Sequence, residues 1–147
     1  MNEKQKLHVE KIKNGTVIDH IYAGKGIEVL RALKGVDERT AIIAKNVPST
    51  NMGKKDIVKI EDKYLAPNEY EEIALLSPET SVVTIKDFGV KKKEKVALPN
   101  QIKGLVTCSN PTCVSNREPD TASEFDVVSK KPAILKCIYC EQEMQVP

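Results

Sequence analysis

Four cysteines carry the clearest chemistry in this sequence: Cys108-x4-Cys113 and Cys137-x2-Cys140, with 23 residues between the two pairs. Thiolates presented in pairs by two short loops can occupy the four corners of a zinc tetrahedron without strain. No fifth cysteine exists and no histidine follows His20. The site therefore reads as closed, with no position for a catalytic water, and so as structural. The stretch beyond residue 99 has few large apolar side chains, and metal binding of about 10–16 kcal/mol apparent is expected to supply what its core lacks. The alternatives are unpaired buried cysteines or a redox pair at 137 and 140. A redox pair normally opens a helix after a strand, which Ile138-Tyr139 does not suggest, and it would leave Cys108 and Cys113 without a role.

Other chemically capable side chains lie earlier in the chain. Asp19 and His20 are adjacent in a strand-like stretch, where strict alternation places them on opposite faces and assigns them to two subsites. Lys59 and Lys93 are candidate cations for a phosphorylated ligand. Catalysis is not indicated: there are two histidines, no serine or cysteine nucleophile signature and no phosphate loop of the Walker type.

The elements that must hold these groups follow from periodicity and punctuation. Leu7, Val9 and Ile12 lead to Asn14-Gly15, after which 16–21 resumes as a strand, so a hairpin is expected. Residues 25–34 predict a helix with Ile27, Leu30 and Leu33 on its buried face, closed by Gly35. The β-branched runs at 40–47 and 56–60 predict two strands joined by the PSTNMG loop. Pro67 then suits a first helical position; Glu69, Glu71 and Glu72 complement the positive helix end, and Tyr70, Ile73 and Leu76 form the stripe. A strand at 81–85 completes the order βαββαβ, the pattern of a ferredoxin-like antiparallel sandwich in an α+β protein. One face of such a sheet is left for a second copy of the chain or a ligand to cover.

The run KKKEK at 91–95, followed by Pro99, reads as a solvated connector. A boundary at residue 99 divides the chain into residues 1–99 and a small all-β zinc-binding part, 100–147, with strand-like pieces at 124–128 and 133–136 between the cysteine pairs. The net charge of +2 over 147 residues lacks the positive field of a dedicated nucleic-acid binder. Beyond residue 99 there are five basic and six acidic side chains, and a zinc centre with four thiolates would add negative charge. A zinc-ribbon nucleic-acid-binding protein is thus the alternative that charge disfavours. No run approaches a membrane span and no apolar stretch follows the N-terminus, so a cytoplasmic, reducing location is expected.

Together the strings KNGTVIDHI at 13–21, PSTNMGKKDIVKIE at 48–61, Cys108-x4-Cys113 and LKCIYC at 135–140 resemble the regulatory chain of aspartate carbamoyltransferase, over nearly the whole length. The resemblance implies a noncatalytic subunit. Its N-terminal domain would dimerise and bind nucleoside triphosphates, and its C-terminal zinc domain would grip the catalytic chain. CTP, with UTP in some members, inhibits pyrimidine biosynthesis and ATP opposes it. By position, Ile12, Val17, Asp19, Lys59 and Lys93 match the family's nucleotide pocket, and His20 and Lys55 match positions near a second nucleotide and its magnesium. Lysines would meet phosphates, and the hairpin backbone with Ile12 would read the base. Val83 and Phe88 depart from the family, which has an Asn and a Tyr there, so the hydrogen bonds those residues make are lost or relocated in this chain.

Overall fold

A computed structural model describes residues 11–146. The chain divides into two compact units, the first ending at Val96 and the second beginning at Ala97. Among the described residues no helix is long and apolar enough to cross a membrane.

The first unit contains strand β1 (Gly15–Tyr22), helix α1 (Gly26–Ala32), strands β2 (Ala41–Ser49) and β3 (Gly53–Glu61), helix α2 (Pro67–Leu76), and strands β4 (Ser81–Lys86) and β5 (Gly89–Lys95). Its sheet runs in the order β2-β3-β1-β4-β5 with every neighbouring pair antiparallel. Without β5 this is the ferredoxin-like order expected from the pattern of elements. One sheet face meets the helices: Ile18, Val58, Ile60 and Val82 of the strands and Val29 and Ile73 of the helices are each no more than 1% exposed. Burying an aliphatic side chain of this kind is worth about 1.5–3 kcal/mol.

Glu69 ties the helices together. Its carboxylate accepts from the Ala66 amide at the start of α2 (2.9 Å), from the Lys34 amide beyond α1 (3.1 Å) and from Lys63 Nζ (3.2 Å). Burial alone would raise its pKa, but the two amides and the ammonium outweigh it and hold the carboxyl below its usual 4.5.

Some expectations change, and of the expected α2 stripe only Ile73 is buried, with Tyr70 and Leu76 half-buried. The stretch at 91–95 is not a connector but most of β5, an edge strand paired along β4. An edge strand needs little burial, and lysines there also discourage pairing with other chains. The buried line of α1 is Gly26, Val29 and Leu33, while Ile27 is 40% exposed; both lines satisfy helical spacing, and the packing selects one. The hairpin limb at Leu7 and Val9 lies outside the described residues. Ile12 belongs to no strand, and the edges of β1 are taken by β3 and β4. The strict alternation assumed for Asp19 and His20 also fails, for a reason given below.

The second unit holds strands β6 (Gln101–Lys103), β7 (Glu124–Lys130), β8 (Ala133–Cys137) and β9 (Glu143–Gln145) in one antiparallel sheet in that order, plus a single helical turn, α3 (Val114–Arg117). Its fully buried side chains are Ile102, Phe125, Leu135 and Cys137.

Candidate functional site

The four cysteines converge. Their Sγ atoms all lie within 4.8 Å of one another, with Cys108 to Cys140 at 3.7 Å and Cys113 to Cys137 at 3.6 Å. A tetrahedron with metal–sulfur bonds of about 2.3 Å has edges of about 3.8 Å, so these two pairs already match such edges and the other sulfurs need close by no more than about 1 Å. None of the four is in a disulfide. The loop after Cys108 is shaped by Asn116, whose Nδ2 donates to the carbonyls of Cys108 (2.9 Å) and Asn110 (2.8 Å). Asn110 Oδ1 in turn accepts from the Thr112 amide. On the other side, Cys137 ends β8 and Cys140 sits in the turn that follows.

As free thiols the four are unequal. Burial, reinforced by the neighbouring sulfurs, pushes Cys108 up to about 12. The Ser115 hydroxyl, 3.2 Å from Cys113 Sγ, brings Cys113 down to about 7, and the Gln142 backbone lowers Cys140. A divalent metal would displace all of these protons, which makes its affinity fall as pH falls.

Val17, Lys59 and Lys93 alternate with the helix-facing residues of their strands and fall on the sheet face away from the helices. Val17 pairs with Lys59 on β3 and with Val83 on β4, and Val83 pairs with Lys93 on β5. Lys59, Val17, Val83 and Lys93 thus form one row across four strands. Burial lowers the pKa of Lys59, an effect that the charge of Asp19 opposes.

Asp19 and His20 break the alternation. The β1–β3 register shifts between Ile18 and Ile21, and His20 has φ of 60°. This bulge lets both side chains approach one place: His20 Nδ1 lies 3.9 Å from Asp19 Oδ2, beyond hydrogen-bonding distance, and Asp19 Oδ1 accepts from the His20 amide at 2.6 Å. Lys55 Nζ sits 2.9 Å from the same carboxylate. His20 and Lys55 line a cleft of about 330 Å³ with Ser49 at the end of β2 and Thr50 and Asn51 of the β2–β3 loop. Ile12 is 4% exposed, just before β1. Phe88, in contrast, is 61% exposed at the β4–β5 turn.

Sequence reasoning missed the residue that organises the strand beneath these groups. Asp56, on β3 beside Lys55, is fully buried and accepts three backbone amides: Gly24 (3.0 Å) and Gly26 (2.9 Å) at Oδ2, and Asn46 (3.0 Å) at Oδ1. One carboxylate thereby fixes the entry to α1 and the irregular point of β2. The available signal was an acidic residue at a core-facing position of an otherwise apolar strand.

Comparison with known proteins gives a consistent result. The family model described as "Aspartate carbamoyltransferase regulatory chain, allosteric domain" matches residues 7–97, and the one described as the metal binding domain of that chain matches 100–146. Proteins named aspartate carbamoyltransferase regulatory chain are similar from end to end. That of Nitrosopumilus maritimus is 44% identical over 98% of this chain and 95% of its own. Those of Thermococcus onnurineus (46%, covering 95% and 93%) and Methanothermobacter thermautotrophicus (40%, covering 97% and 92%) agree.

Proposed function

Because the chain belongs to the family of aspartate carbamoyltransferase regulatory chains, we propose that it binds nucleoside triphosphates on the open face of its first unit and passes their effect to a catalytic trimer through a zinc-bound second unit. It is a regulatory, noncatalytic chain with an allosteric and a metal-binding domain, and it associates with the catalytic chain of that enzyme.

The observation that carries it is the row of Lys59, Val17 and Lys93 beside the Asp19–Lys55 pair. Such a row suits an elongated anion. Two cations separated by apolar side chains can take phosphates, and the start of β1, beside Ile12, is left for the base. Val83 stands within the row and offers no hydrogen bond, so apolar contact would replace polar contact there, and the balance between CTP and ATP would rest on backbone groups and lysines. His20, Lys55 and the β2–β3 loop would receive a second nucleotide, such as UTP. Magnesium would arrive with the triphosphate and complete its oxygen shell with phosphate and water, within reach of Asp19.

Self-association is assigned to the edge of β2. Its residues Ala41 to Ala44 are uncharged and half-buried, whereas the opposite edge of the sheet, β5, carries Lys91, Lys92, Lys93 and Lys95. Pairing of β2 with a second copy would leave the lysines in water. In the second unit four sulfurs at tetrahedral spacing fit zinc better than a hard cation, which prefers oxygen. Neither a redox nor a nucleic-acid role for the cysteines is then needed. The reading places the protein in the cytoplasm, where such thiols stay reduced.

The test is size-exclusion chromatography with light scattering on this chain mixed with the catalytic chain of the same organism, before and after metal removal, followed by calorimetric titration with CTP and ATP. A large metal-dependent complex is expected, along with nucleotide binding that Lys59→Ala weakens at least tenfold. Separate elution of fully metallated chains would refute the coupling, and unchanged binding by Lys59→Ala would refute the placement of the nucleotide.

A further inference from the structure

We propose that Asn14 is a positioning residue for the base end of the effector face: with the Lys13 carbonyl, it holds the β4–β5 turn in a tight form that the turn's own sequence disfavours. The functional half of this inference rests on the nucleotide reading above; the structural half does not.

Lys86 pairs with Gly89, which leaves a two-residue turn of Asp87 and Phe88. Both have positive φ, 49° and 65°, as in the turn that Asn-Gly or Asp-Gly favours. Asp tolerates this region, but a bulky aromatic residue rarely enters it. The sequence Asp87-Phe88-Gly89 is better suited to a three-residue loop, with Gly89 alone in the left-handed conformation and Lys86 opposite Val90. That loop would also absorb the irregularity between Thr84 and Ile85, so local preference argues against the observed turn twice.

What favours the tight turn comes from 73 residues away in the chain. The Asp87 amide donates to Asn14 Oδ1 at 3.1 Å, and the Phe88 amide donates to the Lys13 carbonyl at 2.9 Å. The support is itself anchored. The Asn14 carbonyl accepts from the Asp62 amide at 3.0 Å, and Gly15 lies so close to β3 that an added Cβ would be 2.1 Å from the Ile60 carbonyl oxygen. Residues 13–15 are therefore a fixed block against which the turn is set. The block also fixes Phe88, which is 61% exposed and bonded through its amide to Lys13, the neighbour of Ile12. In the relaxed loop Phe88 would leave this position while Lys93 kept its place opposite Val83. Base contacts would weaken and phosphate contacts would not.

The experiment compares the full chain with Asn14→Ala and with Asn14→Ala/Phe88→Gly, which puts at the turn the Asp-Gly pair that the tight form favours. Cross-strand nuclear Overhauser effects report whether Lys86 faces Gly89 or Val90, and calorimetry reports affinity for CTP and for inorganic triphosphate. In Asn14→Ala the Lys86–Gly89 contact should give way to Lys86–Val90. CTP should bind about fivefold more weakly, as expected from the loss of one hydrogen bond, and triphosphate affinity should hold. The double variant should recover the Lys86–Gly89 contact but not the CTP affinity, since Phe88 is gone. Intact Lys86–Gly89 pairing in Asn14→Ala would overturn the proposal, and so would an equal loss for CTP and triphosphate. If the unaltered chain bound no nucleotide, the reading of the face would fall, while the pairing measurement would still decide the role of Asn14.

Discussion

Replacing Asp56 with asparagine tests whether one carboxylate organises the first unit. The side chain keeps its size, so packing is not the variable. Asp56 accepts two amides at one oxygen and a third at the other, with no water-exposed surface. A carboxamide has a single acceptor atom. If that oxygen faces Gly24 and Gly26, the NH2 group points at the Asn46 amide, and a buried donor is left unsatisfied at a cost of about 1–3 kcal/mol. The two retained bonds also lose their charge assistance, roughly another 0.5–1 kcal/mol each. The total is about 3 kcal/mol. For a domain of this size that corresponds to a midpoint lower by about 12–24 °C. Thermal and urea unfolding followed by far-ultraviolet circular dichroism on the metallated chain measures it. A loss below about 1 kcal/mol would refute the reasoning, because it would mean that the three amides find other partners at little cost.

Removing the metal with a chelator at neutral pH should unfold the second unit and leave the first folded, since about 10–16 kcal/mol of apparent binding energy is at stake; amide exchange resolved by segment would show protection lost beyond Ala97 only. Glu69→Gln should change the acid limb of the stability curve. The folded carboxyl titrates below its ordinary 4.5, so its contribution is present above the unfolded value and is lost as pH falls through the folded one. The unaltered protein should lose stability as pH falls below the ordinary 4.5, and the variant, less stable at pH 7, should show a shallower slope there.

The cysteine cluster was legible because two short loops with paired thiols leave little choice of chemistry, and the strand–helix order was legible because apolar residues repeat at the right intervals. What escaped has physical causes. Strand β5 is lysine-rich on both faces, so no hydrophobic period marks it, and its existence depends on β4 offering a free edge. The bulge at Asp19 and His20 comes from a register shift against β3, which no local pattern in GTVIDHIY announces. The buried face of α1 was misread because Ile27 and Val29 are equally apolar and only packing chooses between them. Asp56 and Asn14 were missed because their partners are main-chain amides, whose positions are not written in side-chain identities.

The two borders of the larger sheet differ in a way that bears on how many chains can join. A sheet that is receptive on both margins has no reason to stop recruiting copies, and continued addition yields a fibre. Here β2 presents an uncharged stretch at Ala41–Ala44 and β5 a row of ammonium groups, so a pair joined through that stretch would expose lysines at both outer ends and repel any third copy. Assembly in that direction would then stop at two chains, and the charge that would end it lies on the same strand that supplies Lys93.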